Sequence, residues 1–206
     1  MEDFRFDGGA TWLNLLATQG QSFGAHPVER LESTERLAEW LARVELTPRL
    51  PPGPEDLART RTLRESLRHV ALAAVTGAAP PADRLETVRG FLAGTPAAGP
   101  HGGTPPGAGP HNAGPHGGAE AVRVVDGRLR LPDPADTGEA LARLADQAVR
   151  HLTGAERHHL RVCAEHDCRW IFSDPAGRRR WCPAPACASR GRVRAMRARR
   201  RTTDSV

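Results

Sequence analysis

The sequence contains no lysine and no tyrosine, and only four of its 206 residues are cysteine. All 29 basic side chains are therefore arginine, which together with the many alanine, glycine and proline residues indicates a compositional bias of the gene. Because such a bias raises the arginine content of the whole chain, the net charge of +5 does not by itself predict an acidic partner.

Long apolar runs are also missing. The segment Val70–Val75 is far shorter than the roughly 20 residues that a helix needs to span a bilayer. The first ten residues are acidic and lack the apolar core of a secretion signal. We therefore expect a cytoplasmic protein that makes no membrane contact and keeps its thiols reduced.

Common catalytic motifs are absent as well. The chain has no glycine-rich phosphate loop, no Gly-x-Ser-x-Gly elbow and no His-Glu-x-x-His pair. His26 and His69 stand alone in the sequence, and a lone histidine beside an apolar helix stripe is more often structural than a general base. We predict that the chain is not an enzyme.

Positive charge is concentrated near the C-terminus. Residues 157–201 contain 13 arginines and three acidic residues, a net charge of +10, whereas residues 1–156 contain 16 arginines and 20 acidic residues. A gene-wide bias does not produce such a contrast between two parts of one chain. The asymmetry favours a polyanionic partner for the C-terminal part.

Apolar side chains that recur every three or four residues predict five helices, four within residues 1–94 and one within residues 120–154. Asp126-Gly127, flanked by alternating apolar residues, predicts a β-hairpin with a type I′ turn. These two ranges are thus predicted to form a domain that is mainly α-helical with a small β-hairpin. The apolar helix positions are Trp12, Leu15, Leu16; Leu37, Trp40, Leu41, Val44; Leu63, Leu67, Val70, Ala74; Leu85, Val88, Leu92; Leu141, Leu144, Ala148 and Leu152.

The domain is interrupted by residues 95–119, which consist largely of glycine, proline and alanine and contain "GPH" three times. A segment of this composition buries too little apolar surface to fold. We predict a disordered insertion there.

All four cysteines lie in the basic part of the chain. They form two C-x4-C pairs separated by thirteen residues: Cys163, Cys168, Cys182 and Cys187. Paired cysteines supply thiolate ligands to tetrahedral zinc, and residues 169–181 predict a hairpin with its turn at Asp174–Gly177. Residues 155–201 are therefore predicted to be a small zinc-stabilised hairpin-plus-helix module, like a zinc ribbon or treble clef, with one structural Zn²⁺. A tail follows at 202–206.

Two other roles of the cysteines stay open at this point. Two disulfides would require an oxidising compartment. A catalytic zinc would leave one coordination position open, or would replace one thiolate with a ligand such as His166. Four cysteines already close a tetrahedral shell, which favours the structural ion.

Beyond the second cysteine pair, "ASRGRVRAMRARRR" predicts an arginine-rich helix. Such a helix suits the phosphate backbone and the guanine edges of double-stranded DNA. Other interpretations are a solvated tail and, for Arg161, Arg169 or Arg190, neutralisation of the zinc thiolates. The candidate nucleic-acid contacts are Arg178, Arg179, Arg180, Arg190, Arg194, Arg197 and Arg201.

The order of these residues resembles a known module. Cys163…Cys168-Arg169-Trp170-Ile171-Phe172…Arg179-Arg180-Trp181-Cys182…Cys187, followed by the basic helix, resembles the CGNR zinc finger. That finger commonly follows a domain called ABATE in a family of proposed stress-induced transcription regulators. "FRFDGGATWLNLLAT" and "VERLESTERLAEWL" are similar to the start of that domain. The resemblance implies a finger that binds DNA and an N-terminal domain that senses a small molecule.

One position departs from the family pattern, because Ala188-Ser189 stand where the finger's name gives Gly-Asn. Alanine would be strained there only if the backbone were left-handed. Serine is also shorter than asparagine, so a contact made by that asparagine would not be reproduced.

These observations together predict a DNA-binding transcription regulator. A single small finger buries little DNA surface, so we expect a homodimer or a second contact to assist recognition. An RNA-binding protein would instead expose aromatic side chains for base stacking, and a redox sensor would use cysteines activated by nearby arginines. We expect at least two of Trp170, Phe172 and Trp181 to be buried, which disfavours RNA.

Overall fold

The computed structural model describes residues 3–94 and 122–203, and the predicted insertion at 95–119 lies outside these ranges. The described residues form six α-helices, a 3-10 turn and three two-stranded antiparallel sheets. The predicted fold class, mainly α-helical with a hairpin-plus-helix module at the end, is confirmed. The helices are α1 Thr11–Leu16, α2 Thr34–Arg43, α3 Pro54–Thr76, α4 Ala82–Leu92, α5 Thr137–Thr153 and α6 Pro185–Thr203; the 3-10 turn is Ala155–His159. The strands are β1 Gln19–Gly20, β2 Val28–Glu29, β3 Arg123–Val125, β4 Arg128–Arg130, β5 Leu160–Val162 and β6 Ile171–Ser173.

Local signals set the helix boundaries. The Ser33 hydroxyl accepts the Arg36 amide at 3.3 Å before α2, and Pro54 begins α3. Gly77 ends α3 with a φ of 76°, a conformation that glycine adopts without strain. Ala74, which was predicted to face the core, is exposed.

None of the helices in the described ranges combines the length and apolar character that a bilayer span requires.

A buried ion cluster fixes β2 against α3. The Arg64 guanidinium, 2% exposed, donates to both carboxylate oxygens of Glu29 at 2.7 and 2.6 Å and to Glu65 at 2.7 Å. A buried charge is tolerated when it is paired and hydrogen-bonded in this way. The cluster fixes the hairpin of β1 and β2 onto the long helix of the domain.

The predicted type I′ hairpin joins β3 and β4. Asp126 and Gly127 have φ values of 51° and 73°, the two left-handed residues that this turn requires. The register pairs Val124 with Leu129, and all residues of both strands are exposed. The hairpin thus extends from the body of the domain.

The hairpin predicted within residues 169–181 is wrong in its pairing. The turn at Asp174–Gly177 forms, with the Gly177 amide donating to the Asp174 carbonyl at 2.9 Å. However, β6 pairs with the preceding strand β5 and not with the chain that returns after this turn. The returning chain carries three exposed arginines, whereas β5 offers apolar side chains to match the buried face of β6.

The C-terminal module shares one apolar core with the helical domain. The indole N–H of Trp170 donates to the Leu13 carbonyl of α1 at 3.0 Å, and the Ser173 amide donates to the Gly8 carbonyl at 2.9 Å. A Cβ on Gly8 would lie 2.9 Å from the Trp170 ring, so glycine is required for this approach. The N-terminal segment before α1 is therefore packed directly on the module.

Candidate zinc centre and arginine surface

Two separate parts of the module supply the cysteines. Cys163 and Cys168 lie in the connection between β5 and β6, Cys182 lies in the loop before α6, and Cys187 lies in the first turn of α6. All four are buried, and their sulfur atoms lie within 4.8 Å of one another. The structure therefore brings together all four predicted ligands, although they are up to 24 positions apart.

The arrangement fits zinc and not disulfides. The Cys168 and Cys182 sulfurs are 4.0 Å apart, close to the ~3.8 Å that a tetrahedron with Zn–S bonds of about 2.3 Å implies. A disulfide requires a separation of about 2.05 Å, and all four cysteines are free. The side chain of His166 is 80% exposed and contacts Asp167, so it takes no part in the cluster. The four cysteines hold one structural zinc ion.

Proximity of the sulfurs changes their protonation. Hydrogen bonding with Cys168 lowers the pKa of Cys163 to about 7. Hydrogen bonding with Cys163 lowers the pKa of Cys182 by more than this. Hydrogen bonding with Cys163 also raises the pKa values of Cys168 and Cys187. Neighbouring thiolates repel one another, and a divalent cation offsets that repulsion, which allows all four sulfurs to bind as thiolates.

Donors from both parts of the chain surround the thiolates. The Cys182 amide donates to the Cys163 sulfur at 3.4 Å, and the Arg190 guanidinium lies 3.8 Å from the Cys187 sulfur. Arg5 of the N-terminal segment reaches the Cys182 sulfur at 3.9 Å and stacks 4.4 Å from the centre of the Trp170 ring. The helical domain thus supplies positive charge to the zinc centre.

The three arginines considered as counter-charges have different positions. Arg190 contacts a ligand sulfur, as described. Arg161 donates instead to the His158 and Leu160 carbonyls, and Arg169 lies 5.3 Å above the Phe23 ring. The contact of Arg5 with the zinc centre could not be predicted from the sequence pattern, because Arg5 lies 158 positions before Cys163.

Two acidic residues between Cys163 and Cys168 hold α6. Glu165 is 1% exposed, and its carboxylate lies 2.6 Å from the Arg194 guanidinium and 3.9 Å from that of Arg190. Asp167 contacts Arg194 at 3.1 Å. Hydrogen bonding with His166, and then with Arg194, lowers the pKa of Asp167 and keeps it ionised. Arg190 and Arg194, both predicted DNA contacts, therefore have intramolecular partners.

The other predicted contacts lie on two exposed segments. Arg178, Arg179 and Arg180 are exposed on the loop after β6, and Arg197 is exposed on α6. Arg201 belongs to the end of α6, where side chains lie outside the described part of the structure. Arg192, which the sequence interpretation did not select, is also exposed on α6.

Trp181 connects the arginine loop to the helix. The Arg180 guanidinium lies 5.3 Å from the centre of its ring, and the ring packs on Gly191, where a Cβ would lie 2.7 Å from Trp181 Cε2 and closer still to Nε1. This contact explains why a glycine stands inside α6. Trp170 and Phe172 are buried and Trp181 is half-buried, as we expected for at least two of the three aromatic side chains.

The departure at Ala188-Ser189 causes no backbone strain. Both residues lie in the first turns of α6, and neither has a positive φ. An alanine is well suited to that conformation. The helix therefore does not depend on a glycine at position 188.

A cleft of about 560 Å³ lies on the helical domain, between the start of α1, the end of α5 and the 3-10 turn. Its lining includes Thr11, Gln147 and His151. The Trp12 indole N–H donates to His151 Nδ1 at 3.2 Å, and burial lowers the pKa of His151, which favours a neutral imidazole. Helix α1 thus borders this cleft and also contacts Trp170.

Comparison with protein families covers both parts of the chain. Residues 9–155 match the ABATE family model, described as "Putative stress-induced transcription regulator", and residues 159–200 match the CGNR zinc finger. The resemblance seen in the sequence is confirmed. No curated protein matches the chain.

Zinc removal is expected to destabilise the whole chain, because the module and the helical domain share one core. Chelation should lower the Tm of the helical far-UV circular dichroism signal by about 10 °C or more. Restoring equimolar zinc should restore the Tm. Helices that melt at the same temperature with and without zinc would show that the two parts are independent.

Replacing Gly191 with alanine should destabilise the zinc-loaded protein by about 1–3 kcal/mol, because the new methyl group displaces Trp181. The matched control is Gly90→Ala in α4, where a Cβ meets no atom of the described residues within 4 Å. Alanine is the better helix former, so the control should gain up to about 1 kcal/mol. Urea unfolding of both variants measures the change in the free energy of unfolding. Equal changes in the two variants would contradict the close contact between Trp181 and Gly191.

Proposed function

The chain belongs to the ABATE family and carries a CGNR zinc finger, and we propose that it binds double-stranded DNA and regulates transcription. The observation that carries the proposal is the exposed arginine surface that the zinc centre holds in place. We define this arginine surface as Arg178, Arg179 and Arg180 of the loop together with Arg192 and Arg197 of α6.

The two segments of the arginine surface are neighbours. Trp181 lies under the Arg180 guanidinium and packs on Gly191, so the loop is adjacent to the middle of α6. Zinc fixes both segments, since Cys182 follows the loop and Cys187 begins the helix. A rigid group of guanidinium donors can neutralise neighbouring phosphates without first ordering a flexible tail.

In this proposal Arg190 and Arg194 position the helix. Their contacts with Glu165 and with the Cys187 sulfur fix α6 relative to the zinc centre. Their guanidinium groups would have to leave these partners to contact phosphate. Binding is therefore assigned mainly to the arginines for which the described residues of the finger offer no acidic partner.

Other functions have less support. Base stacking on RNA needs exposed aromatic rings, whereas Trp170 and Phe172 are buried. A redox sensor needs accessible thiolates, whereas all four cysteines are buried. The proposal also assigns no catalytic activity, because four thiolates leave zinc no position for a substrate.

We also propose that the helical domain senses a small molecule in the cleft beside His151. The support is the position of α1, since Trp12 contacts His151 at the cleft and the Leu13 carbonyl contacts Trp170 of the finger. A ligand that displaces α1 would act directly on the packing of the finger. A transcription regulator with a sensing domain requires such a connection.

Salt dependence of DNA affinity tests the assignment of individual arginines. Each phosphate contact contributes about 0.9 to the slope of log K against log salt concentration. Arg197→Gln should therefore reduce the slope by about that amount without lowering the Tm. Arg194→Gln, one turn away, should leave the slope unchanged and lower the Tm, because it removes the contact with Glu165. Fluorescence anisotropy on one labelled duplex gives both slopes.

The control for these variants is Arg89→Gln, an exposed arginine of α4 outside the finger. It should change neither the slope nor the Tm. Equal slopes for Arg197→Gln and the control would contradict the proposed surface. If Arg194→Gln alone reduced the salt slope, Arg194 would be the phosphate contact and Arg197 would not.

A further inference from the structure

The hairpin of β3 and β4 carries an uncovered apolar face. Val124 and Leu129 are directly paired across the strands, and Val122 and Leu131 continue the same face by the two-residue alternation of a strand. Their exposed fractions are 44% for Val122, 70% for Val124, 76% for Leu129 and 60% for Leu131. We call these four residues the hairpin face.

The opposite face of the hairpin carries three arginines and Val125, and it is also exposed. It carries the pairs Arg123–Arg130 and Val125–Arg128. The Arg130 guanidinium donates to the Glu45 carboxylate just after α2 at 3.0 Å. One ion pair of the arginine side thus joins the hairpin to the helical domain.

Such a hairpin is incomplete as it stands. Alternation of apolar and polar residues is typical of a strand pair with one buried face, and residues 122–124 and 128–131 alternate in this way, with Val125 beside the turn as the exception. An isolated two-stranded hairpin is marginally stable in water. Within the described residues nothing covers the hairpin face. Residues 95–121, which lead into β3, contain no Val, Leu, Ile, Met, Phe or Trp. Their composition offers no large apolar side chain to pack on it.

We infer that the hairpin face is a dimerisation surface, covered by the same face of a second copy of this chain. Two copies related by a two-fold axis would place aliphatic side chains against aliphatic side chains. The face itself carries no charge, and the arginines of both hairpins would stay on the outer sides. Like charges are thus kept apart in the dimer.

The size of the surface indicates a weak dimer. Four aliphatic side chains at these exposures present a few hundred Å², roughly the size of functional patches on monomers. Two such faces bury less than the roughly 1,600 Å² of a standard stable interface. The dimer should therefore dissociate on dilution, and it would assemble most readily where two fingers occupy neighbouring DNA half-sites. This last step rests on the proposed function, but dimerisation in free solution does not.

Two adjacent substitutions on opposite faces test the inference. Val124→Asp places a carboxylate in the hairpin face, opposite its own copy, and should raise the dimer dissociation constant roughly tenfold or more. Val125→Asp introduces the same group one residue later on the other face, and should leave dimerisation unchanged. Sedimentation velocity of the zinc-loaded full chain over a range of concentrations measures both, and unchanged circular dichroism shows that the variants fold.

The expected result is a wild-type chain and a Val125→Asp variant that dimerise with rising concentration, and a Val124→Asp variant that stays monomeric. A wild-type chain that is monomeric at every concentration would overturn the inference and leave a different protein as the occupant. Equal weakening by both variants, or a dimeric Val124→Asp variant, would also overturn it. If the chain fails to bind DNA, sedimentation still decides the question, so the two proposals fail separately.

Discussion

Four thiolates joined through one zinc ion are the constraint on which the finger depends. Two of them come from the connection between β5 and β6, and two come from the loop and first turn that lead into α6. The ion thereby fixes the helix relative to the strand pair. Arg5 and Leu13 of the N-terminal part contact this unit through Cys182 and Trp170. The zinc centre thus also joins the finger to the helical domain.

This constraint divides the arginines of the finger between two tasks. Glu165 is buried between the zinc ligands, and its charge is matched by Arg194 and Arg190 from α6. A buried carboxylate without such partners would be costly. The remaining exposed arginines can then be presented on a rigid support. The arginines of the finger therefore contribute both to its stability and to its proposed affinity for DNA.

Local patterns predicted the parts that depend on neighbouring residues. Cysteine spacing identified the ligands, apolar periodicity identified the helices, and Asp126-Gly127 identified the type I′ hairpin. Contacts between distant residues were not predictable in this way. Three such contacts depend on tertiary packing, which the spacing of residues along the chain does not reveal. They are the pairing of β6 with β5, the Trp181–Gly191 contact and the approach of Arg5 to Cys182. Arg190 and Arg194 were predicted as DNA contacts because the sequence does not show that Glu165 is buried beside them.

Selection of the zinc-loaded full chain against a random duplex DNA library at physiological salt would test DNA binding by the finger directly. A zinc-ordered DNA-binding finger should enrich a short sequence motif and lose that enrichment when the zinc is chelated. Two copies of the motif at a fixed spacing would also agree with a dimer. Absence of any DNA retention, or an enrichment that survives chelation unchanged, would contradict a zinc-ordered DNA-binding finger.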